Sequence, residues 1–378
     1  MGRSKMSKLD RLNAVLGADQ QLDSLEGLAN LPVTRKDELL EAQRDNPPFG
    51  GHRPNRLSHI FQSPGPIYEP GLATEDFWRF GRFAKEVGLS ETDVVLNTFA
   101  YHFTPAGAMF EAAARANGAV VVPTGPGSSR QQVEVAAATG VTAYVGTPDF
   151  LQIILDRAAE SNTPLPLIKF AFVSAGPLFP AMRQAYEDRG ILCRQCYGTA
   201  DVGLIAYETA ACTNGMVIDE DVIVEIVSPG TGTPVPHGEI GEVVVTVLNP
   251  DHPMIRFSVG DLSAFATDED PSGETRARIV GWRGRADQAT KVKGMFIRPE
   301  QVSKLVADCA DVSRARVEVT GSGMSEQIEV MLECSGEGSQ DYSAIVQDIL
   351  KLRSKITTVE VGSLPRDGIL VSDLREVP

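Results

Sequence analysis

Five short segments hold most of the side chains able to do chemistry. They read AYHFTPAG (100–107), PTGPGSS (123–129), GTPDF (146–150), SAGPL (174–178) and YGTADVG (197–203). Each follows a solidly apolar run. Glycine lets backbone approach a ligand, and a small anionic ligand in so acidic a chain would need backbone donors or a local cluster of positive charge. His102 is the only histidine at a predicted strand end; a lone histidine there is either a satisfied structural residue or a proton carrier. A further segment, FQSPGPIYEP (61–70), is either a rigid ligand loop or a plain turn, and it carries no lysine. The pair Cys193 and Cys196 in CRQC is a weak zinc or redox signal without a second pair or a nearby histidine, so buried free thiols are expected.

The elements that would position these segments alternate. Helical patterns over 74–88, 104–118, 129–140, 149–161 and 178–190 are separated by apolar runs near 93–101, 119–125, 143–148, 168–176 and 191–199. Such runs read as a buried parallel sheet of βαβ units, with the ligand site at the carboxyl ends of the strands. Upstream, Thr34 is the expected N-cap of a helix, with Glu38 close behind and NPPFGG as the stop. From about 215 to 282, short strands with Gly/Pro turns predict an antiparallel subdomain. The last ninety or so residues read as αββαβ. A charged, glycine-rich linker near GWRGRADQATKVKG precedes them and is expected to be mobile.

Bulk properties narrow the class. The 378 residues suit two domains, and the formal net charge is −15 with 42% hydrophobic residues. An acidic chain of this kind is not expected to bind nucleic acid or an anionic membrane. No run reaches the length of a membrane span, and Met6 stands where a myristoylation motif after Gly2 wants Ser or Thr. The five cysteines do not read as a disulfide framework, and a cytoplasmic location is expected.

Three further motifs, QCYGTADVG (195–203), IRFSVGD (255–261) and GRADQATKVKGMFIRP (284–299), occur in order at consistent spacing. Together with the strand ends they resemble the adenylate-forming superfamily, and within it the phenylacetate–CoA ligase-like branch. The resemblance runs from about residue 30 to the C-terminus. It implies a large N-terminal domain (1–284) with parallel sheets and an antiparallel subdomain, a hinge near 285–294, and a small mobile α+β cap (285–378). It implies a reaction in which ATP and a carboxylic acid, with aromatic acids among the candidates, give an acyl-adenylate and pyrophosphate, after which coenzyme A takes the acyl group. ATP/AMP, Mg2+ and CoA are the implied cofactors, a small carboxylic acid the partner. Related proteins are often homodimers, and the sequence leaves the oligomeric state open.

Residue by residue, the resemblance gives Asp261 and Arg285 the ribose and phosphate contacts, and Asp287 the hinge. Ser174, Ala175 and Gly176 match the loop under the adenine, with Pro177 where a carboxylate is usual. Tyr197, Gly198 and Thr199 match the next nucleotide loop, with Tyr197 stacking on adenine and Thr199 substituting for a hydroxyl lost at Ala200. Asp201 stands for the glutamate that holds magnesium. Tyr101, His102 and Phe103 would line one wall of the acyl pocket, and Gly146, Thr147 and Pro148 the other, with His102 a candidate catalytic residue. FQSPGPIYEP sits where the phosphate loop belongs. Ser63 is its one hydroxyl of that kind, Pro64 and Pro66 remove two N–H donors, and Glu69 occupies the lysine position. Ile369 occupies the position of the C-terminal lysine. Lys291 and Lys293 are the candidate compensating charges.

These departures leave three readings open. One is an acid–CoA ligase with an unusual phosphate loop. Another is an accessory protein that binds nucleotide or CoA without adenylation. The last is an ATP-independent acyl transferase on the same fold, for which Ser63 and His102 are the only nucleophile candidates.

Overall fold

Apolar runs that alternate with helical patterns build one central sheet covered on both faces. The computed structural model describes residues 6–51, 53–63, 66–176, 178–288, 290–292, 295–321, 326–334 and 341–375. The chain divides into two compact units. The first comprises residues 1–239, 243–259 and 264–281, and the second 240–242, 260–263 and 282–378.

In the first unit, α1 (Lys8–Leu16), α2 (Lys36–Asp45) and the antiparallel hairpin β1 (Leu57–Ser63) and β2 (Ile67–Leu72) come first. Then follow α3 (Phe80–Val87), β3 (Val94–Asn97), α4 (Ala106–Ala116), β4 (Val120–Pro123), α5 (Ser129–Thr139) and β5 (Ala143–Gly146). Next are α6 (Pro148–Glu160), β6 (Phe170–Val173), α7 (Pro180–Glu187), β7 (Leu192–Thr199) and β8 (Gly203–Tyr207). The antiparallel part holds β9 (Met216–Ile218), β10 (Val222–Val227), most of β11 (Gly241–Val247) and of β12 (Met254–Ser263), and β13 (Arg278–Ile279).

The main sheet has eight strands in the order β13-β9-β8-β7-β6-β5-β3-β4. Strands β7, β6, β5, β3 and β4 run parallel, and β8, β9 and β13 continue it antiparallel. A three-stranded sheet, β10-β11-β12, accompanies it. Strand periodicity splits the core cleanly. Val95, Val145 and Phe172 pack with α3 and α4 on one face, and Leu96, Tyr144 and Val173 pack with α5 and α6 on the other. Cys196 falls on the first face and Cys193 on the second, both buried. Thiols on opposite faces of a strand cannot converge on a metal, so the CRQC pair is structural.

Three local expectations need correction. Thr34 does not cap α2, because its backbone is used elsewhere: its N–H donates to Arg256 O (3.0 Å) and its carbonyl accepts from Ser258 N–H (2.9 Å). Arg35 takes the cap position, and Glu38 accepts its N–H at 3.2 Å. The helix expected from residue 74 begins only at Phe80. Arg79 adopts a left-handed φ of 70°, and the Asp76 carboxylate caps the helix by accepting Gly81 N–H at 2.9 Å. FQSPGPIYEP is largely strand: β1 runs to Ser63 and β2 resumes at Ile67, and Pro64 and Gly65 lie outside the described residues.

In the second unit, β14 (Thr290–Val292), inside the segment expected to be a linker, pairs with β15 (Met295–Ile297) just after it. Then come α8 (Pro299–Asp308), β16 (Val312–Thr320), β17 (Gln327–Cys334), α9 (Ser343–Leu350), β18 (Lys355–Glu360) and β19 (Val371–Asp373). The expected αββαβ order is present, with β19 added at the sheet edge in the order β18-β17-β16-β19. Val302, Leu305, Val317, Val330 and Val346 form its core. Among the described residues, no helix is long and apolar enough to cross a membrane.

Candidate functional site

The carboxyl ends of β3, β4, β5, β6 and β7 carry the predicted segments. After β3, fully buried Asn97 organises the next turn. Its Nδ2 donates to Tyr101 Oη and to Gly107 O, both at 2.8 Å, and its Oδ1 accepts Phe99 N–H at 3.1 Å. Burial pushes the Tyr101 phenol well above its ordinary range, and Glu111 adds to the effect. Tyr101 is therefore a neutral, fixed hydroxyl. His102 is exposed at the tip of the turn, and its ring meets Phe103 edge-on at 6.4 Å. Phe103 is 72% exposed with a left-handed φ of 59°, so its ring stands open to solvent. A non-glycine residue there is strained by about 1 kcal/mol. The Phe103 carbonyl accepts Gln62 N–H at 2.8 Å, which ties the turn to β1.

The loops after β5 and β6 lie together. Gly146 O accepts Ser174 N–H at 3.2 Å, and Gly176 packs toward the Pro148 ring. A Cβ on Gly146 would overlap Tyr144 Oη and Thr98 Oγ1, so no other residue fits without moving them. Tyr144 Oη donates to Thr147 O at 3.0 Å, and Tyr186 Oη to Pro148 O at 2.7 Å; both hydroxyls fix the start of α6. Ala175 also has a left-handed φ, 59°. Ser174 Oγ donates to Cys196 O at 3.0 Å and joins this loop to β7. Pro177 lies outside the described residues.

Tyr197 is 8% exposed and packs in the antiparallel core. Gly198 is required by close approach: a Cβ would lie 2.6 Å from Gly203 O and 2.8 Å from Phe80. Thr199 Oγ1 accepts Val202 N–H within its own turn, at 3.4 Å.

That turn places Asp201, with a 1% exposed side chain, beside residues from two distant segments. Lys36, the first residue of α2, brings Nζ to 2.9 Å from Asp201 Oδ2. Glu69 on β2 is 3% exposed and accepts the Ser63 hydroxyl at 2.7 Å. Burial pushes the Glu69 carboxyl up to about 7 and Asp201 adds to it, while Ser63 and Lys36 oppose the rise. Asp201 Oδ1 and Glu69 Oε1 are buried without a hydrogen-bond partner among the described residues. Gln43 clamps α2 to β2: its Nε2 donates to Tyr68 O and its Oε1 accepts Tyr68 N–H, both at 2.8 Å. Ser63, Glu69, Asp201 and Lys36 thus form one cluster. Sequence reasoning missed Lys36, Asn97 and Gln43, since nothing in the sequence ties α2 to the turn after β7.

In the second unit, two predicted residues meet directly. Asp261 Oδ1 accepts Trp282 Nε1 at 3.1 Å and Arg285 Nη1 at 3.4 Å. Lys291 lies on β14; its side chain, that of Asp287, and Lys293 are outside the described residues. Ile369 is 38% exposed in a loop held from several sides. Gln288 donates to Gly368 O (3.0 Å) and accepts Leu370 N–H (2.7 Å), while Arg316 pairs with Asp367 at 2.9 Å.

As to cofactors, the unpartnered Asp201 oxygen suits a cation, although Lys36 already faces the other oxygen. Among the described residues, no group of three or more His, Cys, Asp or Glu side chains could hold a metal. For a phosphate ligand, Ser63 and Lys36 fit, and an ionised Glu69 does not.

Comparison with known proteins agrees with this architecture. A family model described as "AMP-binding enzyme" matches residues 73–247. The chain is 28% identical over 335 residues to a phenylacetate-coenzyme A ligase of Aromatoleum evansii, covering 84% of this chain and 74% of that protein. It is 26% identical over 328 residues to the Thermus thermophilus protein of the same name, covering 82% and 73%. A crystal structure of 2-hydroxyisobutyryl-CoA ligase, in the postadenylation state with 2-HIB-AMP, superposes with a TM-score of 0.78. It is 24% identical and covers 97% of this chain and 85% of that one, which supports the fold.

Proposed function

Because the chain is a phenylacetate–CoA ligase-like member of the adenylate-forming, AMP-binding proteins, we propose that it activates a small carboxylic acid, with aromatic acids the first candidates. The acid would displace pyrophosphate from ATP to form an acyl-adenylate, and CoA thiol would then displace AMP to give a thioester. The observation that carries this reading is the cluster after β7. Asp201 is buried, keeps an unpartnered oxygen and shares its surroundings with Ser63 and Lys36. In the first unit, the loop Ser174–Gly176 and the segment Tyr197–Thr199 would take the base, and Asp201 the magnesium ion. The turn at Tyr101 and the residues Gly146, Thr147 and Pro148 would face the acid. In the second unit, Asp261 and Arg285 would take ribose and phosphate, since a carboxylate accepts two hydroxyls at once. The domain boundary at 284/285, the hinge at 285–294 and a cap comprising residues 285–378 belong to this proposal. ATP would supply the adenylyl group, with pyrophosphate as its leaving group; the chain's residues would bind, orient and exclude water.

A second reading has its own support. Glu69 stands where the branch has a loop lysine, and Ile369 where it has a C-terminal one. A site without these charges loses transition-state stabilisation worth several kcal/mol. On this reading the protein binds nucleotide or CoA without adenylation. Incubation with ATP, magnesium, CoA and a panel of aryl and short acyl acids separates the two. Acid-dependent pyrophosphate release with a CoA thioester seen by mass spectrometry supports the ligase. Saturable AMP or CoA binding with neither product supports the second reading.

A further inference from the structure

Within the nucleotide-binding reading above, on which this inference rests, the cluster has a charge exchange between two distant positions. Position 69 carries a carboxylate. Lys36, thirty-three residues earlier on α2, carries an ammonium that reaches the same spot: it faces Asp201 at 2.9 Å and its charge acts on Glu69. We propose that Lys36 is the phosphate-binding cation of this protein, substituting for the lysine absent from the loop.

Four features support the assignment. The Lys36 side chain is 36% exposed while its partner Asp201 is 1% exposed, so the ammonium bridges the buried cluster and open space. An ammonium has three N–H donors, and its 2.9 Å contact with Asp201 is a charge pair without hydrogen-bond geometry, which leaves donors for a ligand. The side chain is held by its helix: Lys36 opens α2, and Gln43, two turns on, is locked to Tyr68 of β2 by a reciprocal hydrogen-bond pair. The charge balance also requires it. With Asp201 and an ionised Glu69 alone, a polyphosphate would meet two negative groups; Lys36 offsets one of them and places a donor on the ligand side. Lys36 belongs to α2 and not to the loop at 61–70, so the loop's own sequence does not reveal it.

The test uses the full chain and its Lys36→Met and Lys36→Arg variants, titrated calorimetrically with ATP plus magnesium and with AMP, with thermal unfolding as the control for folding. Loss of one charge-assisted phosphate contact of about 1.5–3 kcal/mol weakens binding about 10- to 100-fold. K36M should therefore bind ATP at least about tenfold more weakly, bind AMP within a factor of about three, and recover much of the loss in K36R. If K36M lowers ATP and AMP affinity equally, or changes neither, Lys36 is only the structural partner of Asp201; the inference fails while nucleotide binding stands. AMP binding without ATP binding in the unaltered protein also overturns it. If the unaltered protein binds neither nucleotide, the nucleotide reading fails and the inference falls with it. Should K36M not fold, Lys36→Gln decides: weaker ATP binding with AMP binding held supports phosphate contact, and no shift or a parallel shift in both nucleotides overturns it.

Discussion

Replacing Glu69 with glutamine should change the pH dependence of stability in a defined direction. Glu69 is 3% exposed, and burial beside Asp201 raises its carboxyl from 4.5 to about 7. Between these two values the folded protein keeps a proton that the unfolded chain has released. Stability therefore falls as pH climbs from about 4.5 to about 7 and is level above that. At about 1.4 kcal/mol per pH unit, the fall comes to about 3 kcal/mol. The glutamine side chain of E69Q retains an oxygen for the Ser63 hydroxyl and does not titrate, so this loss disappears in the variant. The advantage of E69Q over the parent should thus be about 3 kcal/mol larger at pH 8 than at pH 4.5. Asp76, raised to about 6 chiefly by burial, shifts both proteins alike and cancels in the difference. The assay is urea unfolding of metal-free protein at several pH values. The chain has two tryptophans, and Trp78 packs on Phe61 of β1 at 5.9 Å, so a Trp282→Phe background makes Trp78 a reporter of the first unit. Parallel stability–pH curves for parent and variant would refute a buried, proton-retaining Glu69.

Two further outcomes follow from the packing. Gly146→Ala forces a methyl group onto Tyr144 Oη and Thr98 Oγ1 and should destabilise the first unit by about 2–4 kcal/mol, read by denaturant unfolding; an unchanged midpoint would contradict the close approach. Gln43→Ala leaves the Tyr68 amide and carbonyl without their partner and frees α2 from β2. A loss of about 1–3 kcal/mol, with faster hydrogen exchange confined to α2 and the β1–β2 hairpin, is expected, and unaltered exchange in α2 would show that the clamp is unimportant.

What could be read from sequence divides along physical lines. The strands β3 to β7 announce themselves because parallel strands buried on both faces are solidly apolar, and the helices between them carry their own turn signals. Split packing of Leu96 and Val95 to opposite faces follows from the strand period alone. Strand β19 is three residues long and offers no pattern, so only its pairing with β16 defines it. Thr34 has the chemistry of a cap, yet a backbone bridge to Phe257 outranks that local preference. The unusual composition of residues 61–70 is plain in the sequence. That Glu69 is buried against Ser63 and Asp201, with Lys36 from another helix beside them, is a tertiary fact between segments far apart in the chain. The same holds for Tyr197, whose residue type suits base stacking and whose place in the core leaves it 8% exposed.

The central claim is that this chain adenylates an acid despite carrying Glu69 and Ile369. Its most direct test is isotope exchange between labelled pyrophosphate and ATP, with magnesium and each acid of an aryl and short-acyl panel, in the absence of CoA. Adenylation predicts label entering ATP with at least one acid and not in the acid-free control. No exchange with any acid, in a protein that binds AMP or CoA, would contradict it and leave a nucleotide- or CoA-binding protein in its place.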